Sequence, residues 1–289
     1  MSAEICFDGY LKAIVNTHQK WQEWYTPTDA TGKDLLQVER DRPTFFDFGL
    51  MVQTVEPPKV EQERELGQDR EKKEKIERLP VLEGIVKYAA EHVLLVGRPG
   101  SGKSTALARL LLQEAEIALS DRQAKIPVLV ELRYLPSEAN ESSVSDRILA
   151  FISKHDPALD IDEAGIKHLL RQGRLLLLVD GVNELPSDRG RAQVNQFREL
   201  YQKTCPMIFT TRELNAGGDL GIAKRLEMQP LTEPQMQQFV MAYLPTHGER
   251  LLRQLSGRLR EFGQTPLLLW MLCSLFEQSE QIPPNLNIF

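Results

Sequence analysis

Between Pro80 and Leu231 the chain alternates two patterns: short runs that are mostly apolar, and longer stretches whose apolar residues return every three or four places. The runs HVLLVG (His92 to Gly97), KIPVLVEL (Lys125 to Leu132), LLLLVD (Leu175 to Asp180), PMIFTT (Pro206 to Thr211) and LEMQPL (Leu226 to Leu231) read as strands. Lys103 to Leu119, Ser145 to Lys154, Glu163 to Arg171 (stopped by Gly173) and Asp188 to Gln202 read as helices. Such alternation predicts an α/β fold, a mostly parallel five-stranded sheet flanked by helices. After Leu231 the strands stop. TEPQ, Thr232 to Gln235, has the form of a capping box, and Met236, Phe239, Val240, Tyr243 and Leu244 follow it at helical spacing. Helices around Arg250 to Phe262 and Pro266 to Glu277 complete a small helical module over residues 232–289.

The region before Pro80 is less regular. Leu11, Ile14, Val15, Trp21 and Trp24 recur at near-helical intervals, which predicts an amphipathic helix from Tyr10 to Tyr25. Thr26 to Lys33 is turn chemistry, and Phe45 to Val55 has the aromatic and β-branched content of a strand, closed by Pro57 and Pro58. From Glu61 to Arg78 there are seven acids, six bases and two large apolar residues, Leu66 and Ile76, so this stretch has little to bury. Glu71 with Lys75 and Glu74 with Arg78 stand in the favourable helical order, and a solvated helix or mobile linker is expected over residues 59–79. Residues 1–58 read as an effector, an adaptor or an N-terminal part of the following domain, with residues 80–231 as the main α/β domain.

Charge and composition narrow the partners. A net charge of -6 gives no general attraction for nucleic acid or an anionic membrane, so neither is expected. Cys6, Cys205 and Cys273 are scattered with no C-x-x-C, which argues for neither a disulfide framework nor a zinc site and suits a reducing, cytoplasmic setting. The N-terminus has no secretory-signal pattern. The longest apolar run, Pro266 to Phe276, is well short of the roughly 20 residues a spanning helix needs, so it is expected to be a buried helix.

The candidate chemistry begins at VLLVGRPGSGKST, Val93 to Thr105. Gly97, Gly102, Lys103 and Ser104 match G-x-x-x-x-G-K-[ST], placed after an apolar strand and before a helix. Residues Gly97, Arg98, Pro99, Gly100, Ser101, Gly102, Lys103, Ser104 and Thr105 would wrap backbone N–H groups around a triphosphate, aided by the positive end of the helix. Lys103 would reach the β and γ phosphates and the Ser104 hydroxyl would hold Mg²⁺.

RLLLLVDGVNELPSD, Arg174 to Asp188, supplies the partner acids. An apolar strand ending in Asp180 places that carboxylate at the carboxyl edge beside a Mg²⁺ site. Glu184, at the start of the following loop, would orient or activate the attacking water. Without the phosphate loop the same residues would be a strand-end cap and a surface acid. Arg212 ends the next strand on the same edge, where it would sense γ-phosphate charge or else serve as an ordinary surface base; Arg133, after VLVEL, is a weaker candidate of the same kind.

With those elements together the chain resembles the NACHT nucleotide-binding family within the STAND class of P-loop ATPases. GRPGSGKST (Gly97 to Thr105), LLLLVDGVNEL (Leu175 to Leu185), TTR (Thr210 to Arg212) and TPLLLWMLCSLF (Thr265 to Phe276) carry the resemblance. It implies that Pro266 approaches the adenine and helps close the helical module over nucleotide. The family commonly has DG-x-D-E, whereas Asn183 stands here for the second aspartate; an amide takes no proton, so weakened hydrolysis with intact binding is expected. Family members usually continue into a winged-helix domain and repeats, so a fragment or a short form regulated in trans is expected.

The function these features imply is a Mg²⁺-dependent ATP or ADP switch with slow hydrolysis, whose ATP state favours protein partners or self-association. A non-hydrolysing nucleotide-binding scaffold is the alternative, and a phosphotransferase would need an arginine-rich lid not seen in the sequence. GTP is less favoured because N-K-x-D is absent.

Overall fold

The structure, a computed structural model, describes residues 5–18, 49–55, 76–136, 143–185, 187–212, 220–255 and 257–279. In chain order these form α1 (Asp8–His18), β1 (Met51–Val55), β2 (Arg78–Pro80), α2 (Val81–Tyr88), β3 (Val93–Val96), α3 (Lys103–Ser120), β4 (Ile126–Glu131) and α4 (Ser143–His155). Then follow α5 (Glu163–Arg171), β5 (Leu175–Asp180), α6 (Asp188–Tyr201), β6 (Met207–Thr211), β7 (Lys224–Met228), α7 (Glu233–Tyr243), α8 (Gly248–Gln254), α9 (Arg258–Gly263) and α10 (Pro266–Ser279). Trp21, Trp24, the turn from Thr26 to Lys33, Phe45, Phe46, Pro57, Pro58 and Glu61 to Lys75 lie outside the described residues.

The five expected strands form the parallel part of one sheet, in the order β7-β3-β6-β5-β4. Two more strands enlarge it to seven: β1 pairs antiparallel with β7, Val52 opposite Met228, and β2 pairs antiparallel with β1, Met51 opposite Pro80. Arg78, expected in a charged helix or linker, therefore lies in an edge strand, where its guanidinium Nε donates to Gln53 Oε1 at 3.0 Å. That strand escaped the sequence pattern because it is three residues long and its partner is some 25 residues away in the chain.

Two element boundaries also differ. The last parallel strand is Lys224–Met228 and not Leu226 to Leu231, because its ladder with β3 starts at Lys224 opposite Val93 and Pro230 has no N–H to extend it. Leu231 is buried all the same, its N–H donating to the Gln264 carbonyl at 2.8 Å. The single helix expected from Arg250 to Phe262 is two short ones, α8 and α9, separated around Gly257, whose φ of 54° a continuing helix does not accept. The helix α2 follows directly on β2 and buries Val81, Gly84 and Ile85.

Local caps agree with the pattern. Asp162 accepts the Gly165 N–H at 2.8 Å at the start of α5, and Ser187 accepts the Gly190 N–H at 3.1 Å at the start of α6. The Thr232–Gln235 capping box forms on α7, with the Thr232 N–H donating to Gln235 Oε1 at 2.9 Å. Gln235 also reaches across to donate to the Gly49 carbonyl at 2.7 Å, joining the helical module to the chain entering β1.

One core contains Tyr10, Leu11 and Ile14 of α1, the apolar faces of β3 to β7, and Phe239, Leu269 and Phe276 of the helical module. At the β4 edge Pro127 has no N–H to leave unpaired, and its carbonyl accepts the buried Tyr10 hydroxyl at 2.7 Å. The N-terminal helix therefore satisfies part of an edge that would otherwise present backbone to solvent. Tyr10→Phe keeps the ring and leaves that carbonyl unsatisfied; a loss of about 1–3 kcal/mol is expected. It is measured by denaturant or thermal unfolding, and an unchanged transition would show that the edge carbonyl needs no partner.

Candidate functional site

The sheet order decides where the chemistry collects. β3 lies between β7 and β6, and the chain leaves it toward β4 on one side while β6 leads to β7 on the other. Loops that depart in opposite directions open a crevice at the carboxyl ends of such strands. The phosphate loop follows β3, Asp180 ends β5, and Arg212 follows β6, so all three emerge on that edge.

Within the loop, Gly100 has φ 74° and Gly102 φ 94°, left-handed values that side chains resist. Gly102 is the residue before α3 and offers no side chain to cap it, so the first-turn N–H groups are left for a ligand. The Ser101 hydroxyl is buried with no hydrogen-bond partner. An uncapped helix start beside an unsatisfied buried hydroxyl fits a bound anion such as the phosphates of a nucleotide. Arg98 and Pro99 are exposed, and Ser104 and Thr105 are half-buried in the first turn of α3.

Lys103 is 9% exposed and its ammonium donates to the carbonyls of Gly97 at 2.7 Å and Arg98 at 3.1 Å. Burial pulls it down to about 8, opposed by the nearby Asp180 and Glu184 carboxylates and reinforced by Arg212. Those four charged groups therefore interact at one place.

The end of β6 connects the rest. The Gly97 N–H donates to the Thr211 carbonyl at 3.3 Å, which ties the loop to β6. The Thr210 hydroxyl donates to Asp180 Oδ1 and accepts the Gly181 N–H at 2.9 Å. Asn183 Oδ1 accepts the Arg212 N–H at 3.0 Å, and the Arg212 guanidinium donates to Glu184 Oε1 at 3.0 Å. Glu184 itself sits in a tight turn closed by its N–H on the Gly181 carbonyl at 2.8 Å. Arg133 pairs instead with Glu131, the residue opposite Asp180 on β4, and lies over the Tyr134 ring, although its charge still feels Glu184.

Pro266 is buried at the first position of α10, and the next residue, Leu267, donates its N–H to the Gly100 carbonyl at 3.2 Å. A Cβ at Gly100 would lie 2.8 Å from Leu267 Cβ, so loop and module are in direct contact. Among the described residues no cluster of three or more His, Cys, Asp and Glu side chains that could hold a metal ion is found. No helix among them is long and apolar enough to cross a membrane.

A model of the NACHT domain matches residues 91–247, more than half of the chain. The chain belongs to the NACHT family. A comparison with curated proteins finds no match. The NACHT domain is a nucleotide-binding P-loop NTPase domain of the STAND type, and its matched segment here takes in the phosphate loop, Asp180, Asn183, Glu184 and Arg212. It ends before α10, so the contact between Leu267 and Gly100 is a feature of this structure and not of the match.

Sequence reasoning overlooked Thr210 as a site residue. Its signal was the first of two threonines ending the apolar run PMIFTT, at the level of the acid on the neighbouring strand. The role of Asn183 also needed three dimensions, since the N–H it accepts belongs to a residue on another strand.

The depressed Lys103 predicts a pH effect in this NACHT domain. Above about pH 8 the free protein loses the Lys103 proton, whereas a bound triphosphate would retain it, so the complex holds more protons than the free form. Affinity for ATP is therefore expected to fall as pH rises past about 8, with proton uptake on binding. Titration calorimetry in buffers of different ionisation enthalpy checks this, and Lys103→Met should abolish the uptake. Affinity that stays flat from pH 7 to pH 10, with no uptake, would remove Lys103 from the phosphate contacts.

Proposed function

We propose that this NACHT protein is a Mg²⁺-dependent, ATP-binding switch that hydrolyses its nucleotide slowly and changes conformation or self-association with nucleotide state. The observation that carries the reading is the meeting of Lys103, Asp180, Glu184 and Arg212 beside the phosphate loop. Ser104 and Asp180 would hold the Mg²⁺, which when bound neutralises charge on the β and γ phosphates. ATP is favoured over GTP, ADP would remain as the product, and a cytoplasmic setting and protein partners belong to the same proposal.

The reaction consists of water attack on the γ phosphorus with cleavage of its bond to the β–γ bridging oxygen. Glu184 would take the water's proton as the new phosphorus–oxygen bond forms, and ADP would leave. Arg212 has a resting partner in Glu184, an exposed pair of the kind that contributes about 0–1 kcal/mol. A γ-phosphate therefore competes easily for the guanidinium, and its success would release Glu184 to face water. Base and triphosphate are coupled in this way through one arginine. Lys103 would exchange the carbonyls of Gly97 and Arg98 for phosphate oxygens, and the loop's contact at Leu267 would pass the change to α10.

Lys103→Ala is expected to weaken binding of both ATP and ADP in a fluorescent-nucleotide titration. Single-turnover hydrolysis by the parent is expected in the range of about 10⁻⁴ to 10⁻² per second. Glu184→Gln should slow it further while ATP stays bound, because the amide keeps shape but loses basicity. A parent that turns over many times per second, indifferent to Glu184→Gln, would sink the slow-switch reading; a parent that binds ATP and never hydrolyses it would leave a nucleotide scaffold.

A further inference from the structure

The backbone ladder between β5 and β6 stops just short of the acid. Its residue pairs are Leu177 with Met207, Leu178 with Ile208 and Val179 with Phe209. Beyond them two side chains continue the connection that backbone groups no longer make. Thr210, 1% exposed, gives its hydroxyl proton to Asp180 Oδ1 and accepts the Gly181 N–H at 2.9 Å. A hydroxyl has a single proton, so with Gly181 as donor on one side the assignment toward the carboxylate on the other is unambiguous. Two residues later the exchange runs the other way, from the backbone just after β6 to a side chain of the loop after β5: the Arg212 N–H donates to Asn183 Oδ1 at 3.0 Å.

We propose that Thr210 and Asn183 are positioning residues that form a reciprocal brace across the opening between β5 and β6. Thr210 sets the carboxylate of Asp180 for Mg²⁺, and Asn183 sets the backbone from which Arg212 reaches the terminal phosphate. The inference rests on the nucleotide switch proposed above and assigns two further residues to that site. With Oδ1 held by Thr210, the Asp180 carboxylate has one orientation and its remaining acceptor capacity points one way, so less freedom is lost when an ion binds. Arg212 is braced on both flanks: Thr211 accepts from the phosphate loop at Gly97, and Asn183 accepts from Arg212 itself.

The brace also accounts for an amide at position 183. A neutral acceptor tethers the Arg212 N–H without adding a third anion next to Asp180 and Glu184. A carboxylate there would keep the tether but compete with a γ-phosphate for the guanidinium. The amide thus favours release of Arg212 toward nucleotide, which gives Asn183 a use distinct from proton transfer.

The two halves make different predictions on the full chain. Mn²⁺ serves as the metal probe, counted by electron paramagnetic resonance with the protein saturated in ADP, and nucleotide affinities are measured separately in excess EDTA. Thr210→Val should weaken Mn²⁺ binding by about 10- to 100-fold, the usual effect of removing a partner of a metal ligand, with ADP affinity in EDTA unchanged. Thr210→Ser should restore the parent value. Asn183 is exposed, so its variants do not disturb packing. Asn183→Ala and Asn183→Asp should both leave Mn²⁺ affinity alone and lower the ratio of ATP to ADP affinity several-fold. If Thr210→Val loses metal and EDTA-phase binding in step, or if Thr210→Ser fails to restore the metal, the hydroxyl is only part of the core and the brace is overturned. Equal ATP to ADP ratios in the parent and both Asn183 variants would overturn it equally, whether or not Thr210→Val folds. A parent that binds no nucleotide would remove the proposed switch along with the brace, whereas a parent that binds normally beside an unaffected Thr210→Val removes the brace alone.

Discussion

The position of β6 between β3 and β5 is the constraint on which the site depends. Parallel strands bring their carboxyl ends to one edge, and the middle strand of the three touches both neighbours there. Its last residues accept from the phosphate loop at Gly97, hold Asp180 through Thr210, and carry Arg212 to Glu184. The interactions are individually modest, yet they share a short segment with little independent freedom. A displacement of that segment would alter the loop, Asp180 and Glu184 together.

Electrostatics at this edge is balanced between burial and pairing. Burial disfavours the Lys103 ammonium, and the two acids nearby restore part of what burial removes. Arg212 and Glu184 are by contrast 51% and 35% exposed, so their pairing is screened and readily exchanged for another anion. The buried cation is a fixed feature of the loop and the exposed one is an adjustable feature of the rim.

Distant segments converge on the same loop. Leu50, just before β1, lies where a Cβ at Gly102 would be 3.0 Å from its side chain, and Met228 of β7 backs Gly97. Gln235 of the capping box holds Gly49, the Leu231 N–H holds Gln264, and Leu267 holds Gly100. The helical module thereby meets the phosphate loop directly and also through the chain entering β1. The phosphate loop and the module are thus joined by a contiguous physical route of backbone hydrogen bonds, the Gln235 side-chain bond and packed apolar side chains.

Much of this was legible in the chain because the signals are local. The apolar runs, the glycine spacing before Lys103, the acid at the end of LLLLVD and the Thr232–Gln235 capping box are each written within a few residues, so periodicity and spacing were enough to place them. Strand order, and with it the placing of Thr210 between the loop and the acid, depends on pairings across tens of residues that no local pattern encodes. The same holds for β2, whose three residues become a strand only against β1, and for Tyr10, whose hydroxyl matters because Pro127 lies at a sheet edge 117 positions away. Asn183 shows the division most clearly: its identity as an amide was plain in the sequence, and the N–H it serves became known only when β5 and β6 were brought side by side.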